Sequence, residues 1–437
     1  MSSILLSFVG NQDPGSDKND REGSIVTLIR HLLEKNQKIK GAILLYTMGT
    51  EDAAHFTKEW LLFSEIKQLS IPPENIELIP VDEKLSRDPI DLLLATQEAK
   101  KAIVLAQSKL ESGDRLELNS SSGTPAMKGS WSIVQASGLA TNSHLWQVRN
   151  PNLMLPDQER VFESDITVLK KTIDIKIIKE QVACHNYNGA LVTFKNSNIL
   201  DNGVSILLQC ASYRLSSAFD ASFNQIKNHA QFCGDRFHKQ SKNLAARQHQ
   251  EITKEIYFQA QIRANNQEYS ELLVKIFVFQ ESVLFYLLKQ ELLPEQDINL
   301  VMNENLINKL DKTIKNFDGG KLQKHLDNYR LKNGRKLFLS SGYNRTVMTA
   351  IVDYFHDQNS EICQLLQNLD AYCQKRNDYI HQLKGISSLE SEEIKSTMRQ
   401  VLNILEIDIK TNPFEEINQK ITYLLNLING SDKIKQP

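Results

Sequence analysis

The sequence predicts an α/β amino-terminal domain built on a parallel sheet, followed by an all-α carboxyl-terminal half. In the first 170 residues, short apolar runs alternate with amphipathic helical segments. Alternation at this spacing is typical of a doubly wound parallel sheet. Long amphipathic segments replace it after about residue 170. We therefore expect three regions: a domain over 1–170, a helical linker over 171–245 and a helical domain over 246–437.

Five short apolar runs are the expected strands of the sheet. Strands buried on both faces read as continuous apolar runs rather than alternating ones, and these runs cover 4–9, 42–46, 76–81, 114–119 and 145–148. The helices between them are expected over 25–33, 53–69, 89–110 and 126–139. Asp88 would cap the third helix, with Pro89 at its first position.

The second half shows only helical spacing of its apolar residues. The clearest segment, 269–293, is followed by Pro294, which cannot continue a helix. Further helices are expected over 347–369, 391–405 and 413–428. This half is therefore predicted to be all-α.

Composition excludes several classes of protein. The 437 residues are 41% hydrophobic and carry a net charge of −2, which is not the basic excess of a protein that coats long nucleic acid. Stable DNA binding is not expected, although a small RNA site needs only local positive charge. The five cysteines are scattered and form no C-x-x-C pair, which argues against disulfides and zinc. With no signal sequence and no membrane-length apolar run, we expect a cytoplasmic protein.

Three polar loops follow predicted strands and form the first candidate site. In open α/β sheets, ligands bind at the carboxyl ends of the strands, and helix N-termini there attract phosphate. The loops contain neither a P-loop nor a G-x-G-x-x-G fingerprint, so an anion other than ATP or NAD is expected. The candidate ligand-binding residues are Gly10, Asn11, Gln12, Asp13, Thr47, Ser121, Ser122, Gly123, Thr124 and Lys128.

A second candidate site is the R-x4-H pattern of Arg376 and His381, with Asn377 directly after the arginine. Metal-free RNA cleavage needs a proton-transfer group and a cation for the phosphate, and His and Arg suit these roles. The spacing alone carries little weight, because about one such match is expected by chance in a chain of this length. On a regular helix the two positions lie about 140° apart. Either the helix loosens near His381, or two chains complete the site together.

The two halves together resemble one known family. The run ILLSFVGNQDP at 4–14 is similar to the opening of the CARF domain in type III CRISPR ancillary ribonucleases. The run EGSIVTLIR at 22–30 resembles the helix that follows in that family, and SSGTPAMK at 121–128 resembles its ligand loop. In the family, a carboxyl-terminal HEPN domain carries R-x4–6-H, often with a polar residue after the arginine. Arg376, Asn377 and His381 match that motif.

The resemblance implies a function for each half. Two Rossmann-like CARF domains of a homodimer would present a symmetric cleft to cyclic oligoadenylate, an allosteric activator. Binding would shift the paired HEPN domains to a state in which Arg376 and His381 cut single-stranded RNA, without metal, to a 2′,3′-cyclic phosphate. Some relatives also cleave the activator slowly in the CARF cleft, where Asn11 and Thr124 would lie.

The sequence leaves two other functions open. In the first, the chain is a ligand-sensing regulator with a non-catalytic helical module. In the second, it is a HEPN toxin ribonuclease that responds to a different nucleotide. The sequence does not choose between activator rings of four and six adenylates. It also leaves open the RNA sequence preference and any cleavage of the activator.

Overall fold

The computed structural model divides the chain into two compact units, Met1–Ile173 and Asp174–Pro437. It describes residues 2–16, 21–63, 71–164, 166–197, 199–294, 304–331, 334–338, 342–357, 359–382 and 387–431. The first unit is an α/β domain and the second is helical, as the sequence predicts. The finer division of the helical half at residue 245 stays a prediction.

Six strands of the first unit form one sheet in the order β5-β4-β1-β6-β7-β8. All neighbouring strands run parallel except β7 and β8, which are antiparallel. The short strands β2 and β3 pair separately. The strand bounds are β1 Ser2–Phe8, β2 Gly15–Ser16, β3 Arg21–Glu22, β4 Lys38–Tyr46, β5 Ile76–Pro80, β6 Arg115–Asn119, β7 Ser143–Val148 and β8 Val161–Glu163.

Five helices accompany these strands: α1 Ser24–Glu34, α2 Glu51–Phe63, α3 Glu83–Arg87, α4 Leu92–Gln107 and α5 Pro125–Ala136. The predicted helix over 89–110 corresponds to α4, which begins at Leu92, and the short helix α3 before it was not predicted. Asp91, not Asp88, caps α4, and its side chain accepts the Leu94 N–H at 2.9 Å. Pro89 lies in the turn between the two helices, since a turn at Asp88 ends α3 first.

The sheet is buried on both faces, which explains its continuous apolar strands. Along β1, Ile4, Leu6 and Phe8 pack into one core cluster, and Leu5 belongs to the cluster on the opposite face. Trp131 of α5 is fully buried in the first cluster, against Phe8. Most polar side chains of the sheet therefore lie at the strand ends and in the loops that follow them. The buried Glu117 within β6 is an exception, held by Arg115 and by the Trp146 indole N–H at 2.6 Å.

The remaining helices follow the sheet in the chain, and they belong to the second unit except for the start of the first of them, which lies before the boundary at Ile173. Their bounds are α6 Thr167–Ala183, α7 Tyr187–Asn196, α8 Asn202–Leu215, α9 Phe219–Ile226, α10 Ala230–Cys233, α11 Asp235–Ala245, α12 His249–Asn265, α13 Tyr269–Leu292, α14 Glu304–Asn316, α15 Lys321–Asn328, α16 Arg345–Phe355, α17 Glu361–Gln382, α18 Ser388–Ile404 and α19 Pro413–Ser431. None of the described helices is long and apolar enough to cross a membrane.

The predicted helix over 347–369 is wrong as a single element. The chain leaves the helical conformation at His356, which caps α16 in an extended conformation. The Asp357 carboxylate then accepts the Asn359 N–H at 2.9 Å, a local turn that Asp favours. The second helix, α17, therefore begins only at Glu361. The other three predicted helices of this half correspond to α13, α18 and α19.

A buried ion pair joins α8 and α12 in the core of the helical unit. The Arg214 guanidinium donates two hydrogen bonds to the Glu255 carboxylate, each of 2.7 Å. Both side chains are almost fully buried, and Arg214 also stacks over Phe237 and Phe414. Losing either charge would leave the other buried and unpaired, at a cost of about 3–5 kcal/mol.

His249, at the start of α12, is a second buried polar group of this core. Its Nε2 lies 2.6 Å from the Ser282 carbonyl oxygen, and its ring stacks on Tyr286. The pKa of His249 is lowered to about 4, mainly by burial and also by the charge of Lys289, while the hydrogen bond to Ser282 opposes the shift. The folded protein therefore holds this imidazole in its neutral form.

We expect the helical unit to lose stability in acid through His249. Its folded pKa lies below the ordinary value of 6.5, so protonation favours the unfolded chain. The stabilisation is complete above pH ~6.5 and is lost as the pH falls toward 4, by about 3 kcal/mol in all. His249→Gln keeps an N–H donor without the titration. Urea unfolding followed by circular dichroism should therefore show a weaker acid loss in the variant, and equal losses would contradict this account.

Candidate functional site

A cleft of about 380 Å³ opens at the carboxyl ends of β1, β4 and β6, where the strand order changes direction. The three loops that the sequence singles out follow these strands and meet there. The lining residues are Val9, Gly10, Asn11, Thr47, Gly49, Thr50, Ser86, Pro89, Gly123, Thr124 and Met127. The cleft thus occupies the position at which ligands bind in open α/β sheets.

Asp13 holds the first loop in shape from beneath. Its buried carboxylate accepts the Gly10 N–H at 3.0 Å and the Ile25 N–H at 3.3 Å. The Ser122 hydroxyl also donates to it, which ties the first loop to the loop after β6. Burial raises the pKa of the Asp13 carboxyl, although the hydrogen bond from Ser122 opposes that shift. Asp13 is therefore placed to position the loops and does not line the cleft.

The close packing around Asp13 requires a glycine at the start of α1. A Cβ atom on Gly23 would lie 2.5 Å from the Gln12 carbonyl oxygen and would also collide with the Asp13 carboxylate. The glycine before the apolar run at 24–33 is thus required by local packing, because the first loop folds back onto the start of α1.

Thr124 both starts α5 and fixes the neighbouring wall of the cleft. Its hydroxyl accepts the Met127 N–H at 3.3 Å as the N-cap of the helix. The same hydroxyl donates to the Pro89 carbonyl oxygen at 2.5 Å. Gly123, directly before it, adopts φ +87°, a conformation that favours glycine. The loop after β6 and the turn before α4 are thus held together by one side chain.

The loop after β4 contributes hydroxyl groups. The Thr47 N–H donates to the Thr50 hydroxyl at 3.0 Å, and the two hydroxyl oxygens lie 3.2 Å apart. Ser86 of α3 accepts the Met48 N–H at 3.3 Å, which brings the segment after β5 to the same edge. Neutral hydroxyl and backbone groups therefore dominate this side of the cleft.

Five of the predicted ligand residues line the cleft, namely Gly10, Asn11, Thr47, Gly123 and Thr124. Asp13 and Ser122 lie beneath it, while Gln12, Ser121 and Lys128 are not among its lining residues. Ser121 instead accepts the Val148 N–H at 2.6 Å.

The sequence-based prediction missed six lining residues: Gly49, Thr50, Ser86, Pro89, Met127 and Val9. The first two lie within a loop that was recognised as polar. Ser86 follows β5, the parallel neighbour of β4, so the same strand-end argument would have found it. Pro89 was assigned to the first position of a helix, whereas it lies in the turn before α4.

None of the lining residues is ionisable. The cleft offers hydroxyls, an amide and backbone groups, together with the N-terminus of the twelve-residue helix α5. Such a set recognises a ligand by directed hydrogen bonds and by the helix dipole rather than by paired side-chain charges.

The second candidate site lies on α17. Arg376, Asn377 and His381 are all positions of this helix, which continues to Gln382, but their side chains lie outside the described residues. Because the helix is continuous, Arg376 and His381 are separated by about 140° around its axis. The helical conformation is described up to Gln382, one residue beyond His381. Completion of the site by a second chain stays a prediction.

A polar network fixes α17 just before these positions. Gln280 of α13, buried in an otherwise apolar core, donates to the Leu366 carbonyl oxygen at 3.0 Å. Its own amide oxygen accepts from Arg345 at 3.1 Å and from the Cys373 thiol at 3.3 Å. Arg345 also pairs with Asp370 at 3.3 Å. Three helices are thus joined one turn before Arg376.

This chain resembles a solved protein in its structure, whereas its sequence matches no family model. No protein-family model matches the chain, and no curated protein matches it. The model does match the solved structure of Enterococcus italicus Csm6 bound to cyclic hexa-2'-fluoro-hexa-dAMP, with a TM-score of 0.63.

The chain shares the Csm6 fold. The match covers 97% of this chain and 100% of the Csm6 chain, at 16% sequence identity. At that identity the likeness to Csm6 is one of fold, and it confirms the predicted order of an α/β domain followed by a helical half. Among the described residues, no group of three or more His, Cys, Asp or Glu side chains could hold a metal ion.

Replacing Thr124 should destabilise the α/β unit. Thr124→Val removes both the helix cap and the bond to Pro89, so we expect a loss of about 1–2 kcal/mol in the free energy of unfolding. Thr124→Ser keeps the hydroxyl and should remain close to the parent protein. All three tryptophans lie in this unit, so tryptophan fluorescence during urea unfolding reports on it. Equal stability of the Val and Ser variants would contradict the assigned role.

Proposed function

We propose that this chain is a ribonuclease of the CARF–HEPN type, activated by cyclic oligoadenylate and acting in type III CRISPR antiviral defence. The observation that carries the proposal is the Csm6 fold over 97% of the chain, joined to the motif match of Arg376, Asn377 and His381. The convergence of the three predicted loops on one cleft supports the sensor half. We further propose that the protein is a cytoplasmic homodimer.

The properties of the cleft suit one part of a cyclic oligonucleotide. Its volume of about 380 Å³ is near the lower end of pockets that enclose a small ligand, so a whole ring requires more surface than one chain supplies. A second copy related by a two-fold axis would double the cleft and match a symmetric ring. Asn11, Thr47 and Thr124 would then contact bases, riboses or phosphodiesters through hydrogen bonds.

Arg376 and His381 would perform the cleavage of RNA. His381 would accept the proton of the 2′-hydroxyl or supply the proton of the leaving oxygen, since His titrates in the required range. Arg376 would stabilise the negative charge that develops on the phosphate, because its planar guanidinium forks onto two oxygens. Attack by the 2′-oxygen on the adjacent phosphorus expels the 5′-oxygen and leaves a 2′,3′-cyclic phosphate. Asn377 would orient these groups.

Activation would be a shift between two states of the dimer. A ligand shifts such an equilibrium only by its difference in affinity for the two states. In the active state, α17 of each chain would bring its Arg376 and His381 into a site shared with the other chain, as their separation around the helix axis requires. The network of Gln280 and Arg345 would keep α17 in a fixed register during this change.

The first experiment measures cleavage of single-stranded RNA by the purified protein with cyclic oligoadenylates of four and six units. We expect one ring size to stimulate cleavage, and the activity to survive EDTA, because Arg and His supply both the charge and the proton transfer. Loss of cleavage in EDTA with recovery in magnesium would overturn the mechanism. The absence of stimulation by either ring would overturn the sensor assignment.

A second experiment tests the residues of α17. His381→Ala should lower the cleavage rate by roughly 10² or more. Arg376→Lys should fail to restore activity, because a point charge does not fork onto two phosphate oxygens. In both variants, binding of the activator should be unchanged, since that site lies in the other unit.

Mixed dimers sharpen this test. If two chains build one site, a single mutant chain should remove nearly all activity, whereas independent sites would leave about half. Cleavage at the parental rate by the double variant Arg376→Ala, His381→Ala would contradict the HEPN assignment and favour a non-catalytic sensor.

A further inference from the structure

The most uneven charge distribution in the chain lies at 309–336, called here the basic segment. It contains nine Lys and Arg residues and three Asp residues, a net charge of +6. The whole chain has a net charge of −2, so the other residues together carry −8. The segment spans most of α14, all of α15 and the turn that follows.

The lysine side chains of α14 and α15 within this segment point away from the core. On α14, Leu310 and Ile314 pack into the core of the helical unit, while Lys309, Lys312 and Lys315 are exposed. The pattern repeats on α15, where Leu322 and Leu326 are buried and the lysines exposed. Each helix therefore presents a row of lysines to solvent on the side opposite the core. The row on α14 is Lys309, Lys312 and Lys315, and the row on α15 is Lys321 and Lys324.

The aspartates nearby are largely engaged by tyrosines instead of lysines. The Tyr343 hydroxyl donates to Asp311 at 2.6 Å, and the Tyr354 hydroxyl donates to Asp318 at 3.2 Å. Of the lysines in the two rows, only Lys321 forms an ion pair, with Asp318. Within the part of the chain that the structure describes, Lys309, Lys312, Lys315 and Lys324 have no carboxylate partner.

Fold stability does not explain this arrangement. The exposed face of an ordinary helix gains from opposite charges three or four residues apart and loses by a similar amount from like charges. On α14, lysine recurs every three residues at 309, 312 and 315, so each of these side chains has a neighbour of the same positive charge. The like charges of Lys309, Lys312 and Lys315 therefore repel one another along the helix, and an anionic partner would offset this repulsion.

An exposed aromatic ring lies at the end of the segment. Phe338 has 73% of its surface exposed and follows the exposed Arg335 and Lys336. Proteins that bind single-stranded nucleic acid without sequence preference combine a positive surface with aromatic side chains on which bases stack. A peptide or free phosphate would use the charges but would have no use for the ring.

We propose that the basic segment, with Phe338, is a binding surface for the single-stranded RNA substrate, outside the residues that cut it. This inference rests on the proposed function only for the identity of the RNA as substrate. The segment packs on α16 through Phe317 and Phe355, whose ring centroids are 5.0 Å apart. Arg345 of α16 in turn holds Asp370 of α17. The surface that would hold the RNA is thus joined through α16 to α17, the helix that carries Arg376 and His381.

The test measures binding of a 2′-O-methyl RNA of about 20 nucleotides, which lacks the attacking hydroxyl, to the full-length protein. The variant Lys309→Gln, Lys312→Gln, Lys315→Gln should bind at least tenfold more weakly. Its affinity should also depend less on salt, with the slope of log K against log salt smaller by about 2, since each phosphate contact on a single strand contributes about 0.7. Phe338→Leu should weaken binding about fivefold or more without changing that slope.

A matched control removes the same charge elsewhere on the helical unit. Lys195, Lys239 and Lys242 are also exposed, and the triple change of these residues to Gln should leave binding within about twofold of the parent. Equal weakening by the two triple variants would mean that only net charge matters, and the proposal would be wrong. Equally tight binding of an inorganic polyphosphate of matched charge would likewise overturn the assignment to RNA.

Cleavage assays separate this proposal from the proposed function. For a long RNA the basic-segment variant should show a raised KM and an unchanged kcat, while cleavage of a four-nucleotide substrate should be unaffected. If the parent protein cuts no RNA but the binding differences hold, the surface stands and the ribonuclease assignment falls. If the parent cuts RNA and the variant matches it in KM and binding, the surface proposal falls alone.

Discussion

Burial of the parallel sheet on both faces is the constraint from which the rest of the first unit follows. A strand covered on both sides carries mainly apolar side chains along its length, so most polar groups collect where the strands end. Because β1, β4 and β6 are parallel neighbours, their polar ends lie at one edge. The buried Asp13 then links two of the loops and the start of α1. The cleft results from this packing and does not require a dedicated insertion.

The helical unit is organised in the same way, by a few buried polar groups within an apolar core. Arg214 and Glu255 join α8 to α12, and Gln280 joins α13 to α16 and α17. A polar group in such a core is satisfied only in one arrangement of its helices, because any shift leaves it unpaired. These groups contribute less to stability than to fixing how helices pack, and α17 is the helix whose placement matters most to the proposed chemistry.

The sequence predicted five of the six strands of the main sheet, the order of the two halves and the three loops, because apolar periodicity and strand ends follow directly from burial. It missed the short antiparallel strand β8, and it failed where the start or end of a helix depends on a side-chain hydrogen bond. The turn at Pro89 is held by Thr124, 35 residues away, and the break before α17 depends on an Asp357 turn within an otherwise helical pattern. Asp13 was predicted to bind the ligand, because the sequence alone does not distinguish a loop carboxylate that faces a ligand from one that faces a neighbouring loop.

The lack of ionisable side chains around the cleft has a kinetic consequence. Without side-chain charge to steer an anionic ligand, association proceeds at the ordinary rate for an orientation-limited encounter, about 10⁵–10⁶ M⁻¹s⁻¹ for uncharged surfaces. High affinity must then come from slow release. Under the proposed function, the cleft would fill at this moderate rate and would stay occupied after the free messenger has declined. The duration of the signal would thereby be set by the residence time of one molecule in the cleft.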